Sequence, residues 1–243
     1  MHSAASNFPE QVPEVPVEAC AAPSTDDRFA KDLRGFGPLG IVTLLVILFS
    51  SYSFLPLNAL LVLAWTWRSR TPWREIGYVR PRSWIVSLAV GIAFGVAFKL
   101  LMKALVMPLF GAPSINPAYH FLAGNRSALP AALFAMIVRA GFGEETVFRG
   151  FLFERLGKLF GSSAWAKILI VLLTAGLFGL AHYSDQGLAG VEQATIVGLV
   201  FGTILAVTGR IWTLMAAHAA FDLTALAIIY WNLESEVAHL VFK

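Results

Sequence analysis

The chain has 243 residues, of which 57% are hydrophobic and 14% charged, and its mean hydropathy is +0.70. That is more apolar surface than a water-soluble domain can hide, so composition excludes an ordinary soluble fold and predicts one compact membrane domain. The net charge of +3 divides unevenly, with six acids against three Lys and Arg in Met1 to Arg34 and nine against fifteen in the remainder; the cations are scattered between apolar runs, which excludes a nucleic-acid-binding stripe and reads as membrane topology.

Residues 1–34 carry Pro9, Pro13, Pro16 and Pro23 among small and acidic residues, too little apolar surface to offset the entropy of ordering. A disordered tail is expected there, with the membrane domain over 35–243. The tail holds the lone Cys20, which cannot form an internal disulfide, and it lacks the basic start, apolar run and small-residue cleavage site of a secretory signal. The first apolar stretch, Gly37 to Trp67, is too long for one upright helix and contains Pro56, so it predicts two short passes. Arg68, Arg70, Arg74, Arg80 and Arg82 then stand against only Glu75, flanked by Trp65, Trp67, Trp73 and Trp84 as interfacial anchors. This is the expected cytoplasmic loop.

Five further apolar segments follow: Trp84 to Phe110, Ala128 to Phe160, Ser163 to Ala181, Gly190 to Thr208 and Ile211 to Trp231. Spans need about 20 apolar residues to cross about 30 Å of hydrocarbon. The expected fold is therefore all-α, a polytopic transmembrane helical bundle of about seven (six to eight) membrane helices, with one more element in the C-terminal stretch as a further option. Placing the Arg-rich loop inside also puts the Arg155 to Lys167 turn and Arg210 inside, and leaves the 111–125 loop and the Asp185 loop outside. An odd count puts the N-terminus inside and the C-terminus outside. No internal repeat is visible.

Ionisable groups at membrane depth cost about 2.5 to 3.5 kcal/mol or more for Asp, Lys or Arg, so they mark cavities and pathways. Three constellations stand out: Glu144, Glu145 and Arg149 in GEETVFRG; Phe178 and His182 in FGLAH; His218 and Asp222 in HAAFD. Partners four apart share a helix face, so Glu145 pairs with Arg149 and leaves Glu144 on another face, free to act as a general base. The same pattern also fits a plain helix salt bridge. A turn at Gly161 to Ser163 would place Glu144 and His182 at about 27 to 30 Å from it on antiparallel helices, hence at similar depth. Phe178, one turn before His182, would wall the site. Asp222 can hydrogen-bond one nitrogen of His218 and fix the other toward a cavity, or the two form a buried stabilising pair.

EETVFRG, FGLAH and HAAFD, in that order on three late hydrophobic helices, resemble the motifs of the CPBP family, which groups the CAAX prenyl proteases with bacteriocin-processing and related bacterial membrane proteins. The motif-bearing core is about 128–225, and GYVRPRSW before the third pass is also similar to a loop of this family. The resemblance implies an intramembrane endopeptidase in which Glu144, with His182, activates a water. Glu145 and Arg149 support the site, and His218 with the residue four further on stabilises the oxyanion. That residue is Asn in the prenyl-protease branch and Asn or Asp in bacterial members; here it is Asp222, whose charge fits an orienting role better than oxyanion binding. No metal is favoured, because HExxH is absent; zinc held by Glu144, His182 and His218 is the alternative.

The expected partners are the lipid bilayer and a membrane protein or peptide substrate, with or without lipid modification, and the expected location is a bacterial inner membrane. Two other classes remain open. One is an ion- or proton-coupled transporter, motivated by Lys99, Lys103, Arg139 and Glu192. The other is a non-catalytic family member acting as a membrane scaffold or immunity factor.

Overall fold

Helix formation starts earlier than composition predicts. In the computed structural model, which describes residues 24–50 and 56–242, the first helix, α1 (Thr25–Arg34), occupies the end of the expected tail. The Ser24 hydroxyl caps it by accepting from the Asp27 amide, Asp26 and Asp27 sit in the positive first turn, and Lys31 and Arg34 sit in the negative last turn. Its Ala30 and Leu33 are buried, and the Trp65 indole N–H donates to the Leu33 carbonyl at 3.0 Å. Capping and this docking face outweigh the low hydrophobicity that suggested disorder up to residue 34. The rest of that expectation, residues 1–23 with Cys20, lies outside the described residues.

Pro38 at the first position of α2 (Pro38–Phe49) and Pro56 just before α3 (Leu57–Arg68) fix where these helices begin. Each has twelve residues, about 18 Å long, short of the hydrocarbon thickness. Five longer segments have the length and apolarity of spans: α4 (Trp84–Leu109), α5 (Arg126–Phe160), α6 (Ala164–Ala181), α7 (Tyr183–Thr208) and α8 (Trp212–Tyr230). A sixth span results if α1 and α2, bent by 56°, count as one. Against the about seven (six to eight) membrane helices expected, five have span length, or six with the bent pair; α2 and α3 stand where two short passes were expected, and α9 (Glu234–Ala238) is the extra C-terminal element. Among the described residues there is no strand. The fold is a polytopic helical bundle, with side chains such as Ile85, Leu172 and Val207 exposed where lipid would lie.

Small residues set the helix spacing. A Cβ on Gly91 of α4 would lie 2.6 Å from the Thr213 carbonyl oxygen of α8, and one on Gly95 only 2.1 Å from that of Ala217. These two glycines, four apart, let α4 and α8 touch backbone to backbone.

The bundle has two polar ends whose membership agrees with the charge pattern. At one, Arg34 pairs with Glu75 (3.1 Å), Lys158 approaches Glu75 (3.8 Å), and the Ile211 amide donates to the Gly77 carbonyl (3.0 Å). The Arg-rich loop, the end of α5 and the turn before α8 therefore share a side. At the other end, the Gly124 amide donates to the Tyr230 carbonyl, Gln186 donates to the Tyr119 hydroxyl (3.2 Å), and His120 contacts Glu234 (2.8 Å).

Candidate active site

α5 carries the first motif and is not a plain α-helix. From Ala135 to Phe151 it is π-helical, and the Thr146 hydroxyl donates to the Phe142 carbonyl at 2.6 Å while meeting the Tyr78 hydroxyl at 2.8 Å. Such wide turns are rare and concentrate at functional sites. Here the widened segment presents two successive carboxylates to opposite nitrogens of one ring.

That ring is His218 of α8. Its Nδ1 lies 2.7 Å from Glu145 Oε1, and its Nε2 lies 3.7 Å from both Glu144 Oε2 and Asp222 Oδ2. Glu145 is fully buried and accepts only, so Nδ1 carries the donated proton and Nε2 faces the two half-buried carboxylates. The exposure difference separates the roles: the Glu145 side chain is 0% exposed, those of Glu144 and Asp222 31% and 27%.

Arg149 lies one turn beyond Glu145, with Nη1 3.2 Å from Glu145 Oε1, an ion pair without hydrogen-bond alignment. Its guanidinium stacks at 4.3 Å over Phe178 and 5.8 Å from the Phe201 ring centre. Phe178 joins the parts of the site, its ring centre 4.7 Å from that of His182 and 6.0 Å from that of His218. The Nδ1–H of His182, at the C-terminal cap of α6, donates to the Phe178 carbonyl at 2.8 Å and leaves Nε2 available.

The turn expected before α6 forms, with Gly161 left-handed (φ 85°) and the Ser163 hydroxyl capping the helix. Glu145 and Arg149 pair as expected. One expectation needs correction. The partner that orients His218 is Glu145, not Asp222, because Asp222 at 3.7 Å is beyond hydrogen-bond reach and lies on the Nε2 side. His182 makes no ion pair with Glu144 among the described residues; it reaches the cluster through Phe178. Phe201, whose ring is 5.7 Å from His218, belongs to no polar motif, and Tyr78 lies in the GYVRPRSW segment, which gave it no site role.

The residues of the transporter reading are mostly engaged locally. Lys99 donates to Gln193 Oε1 (2.9 Å) over the Phe221 ring, and Lys103 donates to the Ser114 carbonyl with Glu234 3.9 Å away; Arg139 is exposed and Glu192 half-buried. Among the described residues no three His, Cys, Asp or Glu side chains are grouped to hold a metal ion. The alternative zinc set Glu144, His182 and His218 would use the Nε2 atoms, since each histidine engages only Nδ1, with the Phe178 carbonyl and the Glu145 carboxylate.

Residues 126–224 match the family model described as Rce1-like: Type II CAAX prenyl endopeptidase Rce1-like. That segment of the chain is similar to the CAAX-type proteases of the CPBP family. No curated protein and no solved structure matches the chain. The matched segment begins with α5 and ends two residues past Asp222, so it contains the whole cluster from Glu144 to Asp222, while α1 to α4 lie before it. The similarity supports, in general terms, a CAAX-type intramembrane endopeptidase acting on membrane-associated protein.

Proposed function

We propose that the chain hydrolyses a peptide bond of a membrane-associated protein or peptide through a water activated by Glu144. The observation that supports this is the clasp on His218, whose Nδ1 is held by buried Glu145 while its Nε2 opens toward half-buried Glu144. Glu144 takes a proton as the water oxygen bonds to the carbonyl carbon. His218, when protonated, offers Nε2–H to the oxyanion that forms. Collapse breaks the C–N bond, and the proton on Glu144 passes to the leaving amine. His182 holds the water through its free Nε2. Glu145 and Arg149 position His218, Phe178 packs the two imidazoles, and Asp222 adds a second negative charge on the Nε2 side. No step runs through a metal.

The test is cleavage by the purified chain in liposomes, using peptides ending in a prenylated cysteine motif and unmodified controls. Glu144→Gln is expected to lower turnover about 10²- to 10⁴-fold, with helix content and insertion unchanged. A strong chelator should leave wild-type turnover intact. Wild-type turnover by Glu144→Gln would remove Glu144 from its role, and loss of activity in chelator, restored by zinc, would replace the metal-free mechanism. Failure of wild type to cleave any membrane peptide would favour the scaffold reading.

A further inference from the structure

The molecule carries a polar cavity outside the matched segment. It measures about 440 Å³ and is lined by Asp27, Ala30, Lys31 and Arg34 along α1, by Gly35 after it, and by Ser69 and Arg70 from the turn after α3. Three of these side chains are cationic and one is acidic. The Asp27 carboxylate is already engaged, since Arg70 and the Ser24 hydroxyl both donate to it. Lys31 is exposed and has no ion-pair partner among the described residues. Arg34 spends Nη2 on Glu75, while its Nε–H is buried with no acceptor.

The backbone is shaped for this arrangement. Arg70 is held left-handed at φ 54°, a conformation normally left to Gly or Asn, and one of only two such non-glycine residues among those described. The Arg34 carbonyl accepts from Arg155 Nη1 at 2.8 Å, which fixes the last turn of α1 from behind.

The cavity also sits at the level where apolar surface begins. The outward side chains of α2 (Leu39, Ile41 and Val42) are exposed just beyond Gly35, and Trp67 is 71% exposed beside Ser69 and Arg70. An indole belt next to clustered cations marks the headgroup layer of a bilayer.

We propose that the cavity between α1 and the Ser69–Arg70 turn binds the phosphodiester headgroup of an anionic phospholipid, with Lys31, the Arg34 Nε–H and Arg70 as its donors. The planar guanidinium forks suit phosphate oxygens, and the α2 face beyond Gly35 gives the acyl chains an apolar wall. A free phosphate ion offers the same oxygens without the chains. This reading is independent of the peptidase chemistry.

Native mass spectrometry of the full chain tests it, with the protein in a neutral detergent and titrated with phosphatidylglycerol, phosphatidylcholine or inorganic phosphate. A saturable one-to-one adduct with phosphatidylglycerol is expected, at least about tenfold tighter than with phosphatidylcholine and unaffected by millimolar phosphate. Lys31→Gln and Arg70→Gln should each weaken it about tenfold, whereas Arg80→Gln, on the same loop but outside the cavity, should leave it unchanged. Lys31 has no structural partner, so its variant remains informative even if Arg70→Gln disturbs the turn. Equal loss in Arg80→Gln, equal binding of both lipids, or full displacement by inorganic phosphate would each overturn the lipid site.

Discussion

Two buried arginines, six residues apart on α5, are treated in opposite ways. Arg155 is hydrogen-bonded through all three nitrogens: Nε and Nη2 donate to Glu154 (2.6 and 3.0 Å) and Nη1 to the Arg34 carbonyl, with Trp65 packed on its face at 4.7 Å. Arg149 is equally buried, yet its Nη1 and Nη2 have no hydrogen-bond partner, and neither do Glu144 Oε2 and Glu145 Oε2 beside it. It is held by ring stacking and by charge. Buried polar groups are satisfied in a network built only for stability, and groups left with spare bonding capacity concentrate where a protein does chemistry. The Arg155 cluster is a clamp between α1 and α5, whereas the Arg149 cluster has the spare bonding capacity that the proposed site calls for.

The sharpest way to break this contrast is to cut one partner from each cluster. Glu145→Gln removes the charge on His218 Nδ1 and should lower turnover about 10²-fold or more while the protein still inserts and keeps its helix content; near-normal turnover would return Glu145 to a structural role. Arg155→Met should do the reverse. It leaves buried Glu154 with Lys158 alone, 2.8 Å away, so stability should drop by about 1 to 3 kcal/mol in denaturant titration, with the folded fraction still active. Activity lost in proportion beyond folding would mean that the two clusters are one.

A smaller effect is expected at Tyr78, the support beneath the π-helical segment. Tyr78→Phe loses the bond to Thr146, about 1 kcal/mol. Burial pushes the Tyr78 hydroxyl up to about 12, so the folded chain keeps its proton while the unfolded chain ionises near 10. Stability should therefore fall as pH rises from about 10 toward 12, and Tyr78→Phe should flatten that fall; an unchanged alkaline slope would show that Tyr78 does not report on the fold.

The smallest effect is at Asp27, whose carboxyl the Ser24 hydroxyl and Arg70 hold below its ordinary value. Its contribution is present above the unfolded value near 3.9 and is lost as pH falls through the lower folded value. Asp27→Asn should remove a slight acid sensitivity of α1, read as amide exchange over Thr25–Arg34, and leave neutral-pH exchange elsewhere unchanged.

The spans and the sidedness of the loops were legible in the sequence because hydrocarbon thickness and charge act through composition, and both survive without three-dimensional detail. The Glu145–Arg149 pair was legible because an i, i+4 relation depends on one helix alone. What stayed hidden depends on contacts between helices. The widening from Ala135 to Phe151 has no periodic signature, so nothing along the chain showed that Glu144 and Glu145 would face the two nitrogens of the same ring. The orienting role falls to Asp222 in the sequence because it stands four residues from His218 and its charge disfavours an oxyanion, yet Glu145, 73 positions away, is nearer in space. α1 was hidden for a different reason, since its order comes from docking against Trp65 rather than from its own hydrophobicity.

The close approach of α4 to α8 carries a genetic consequence. Every missense change at the codons of Gly91 or Gly95 adds at least a Cβ, and that atom would fall inside the backbone of the helix that bears His218. Neither position has a conservative neighbour in codon space. Inherited variation at these two sites would therefore be silent or damaging to the helix segment that carries His218, the residue after Ala217, with no graded series between.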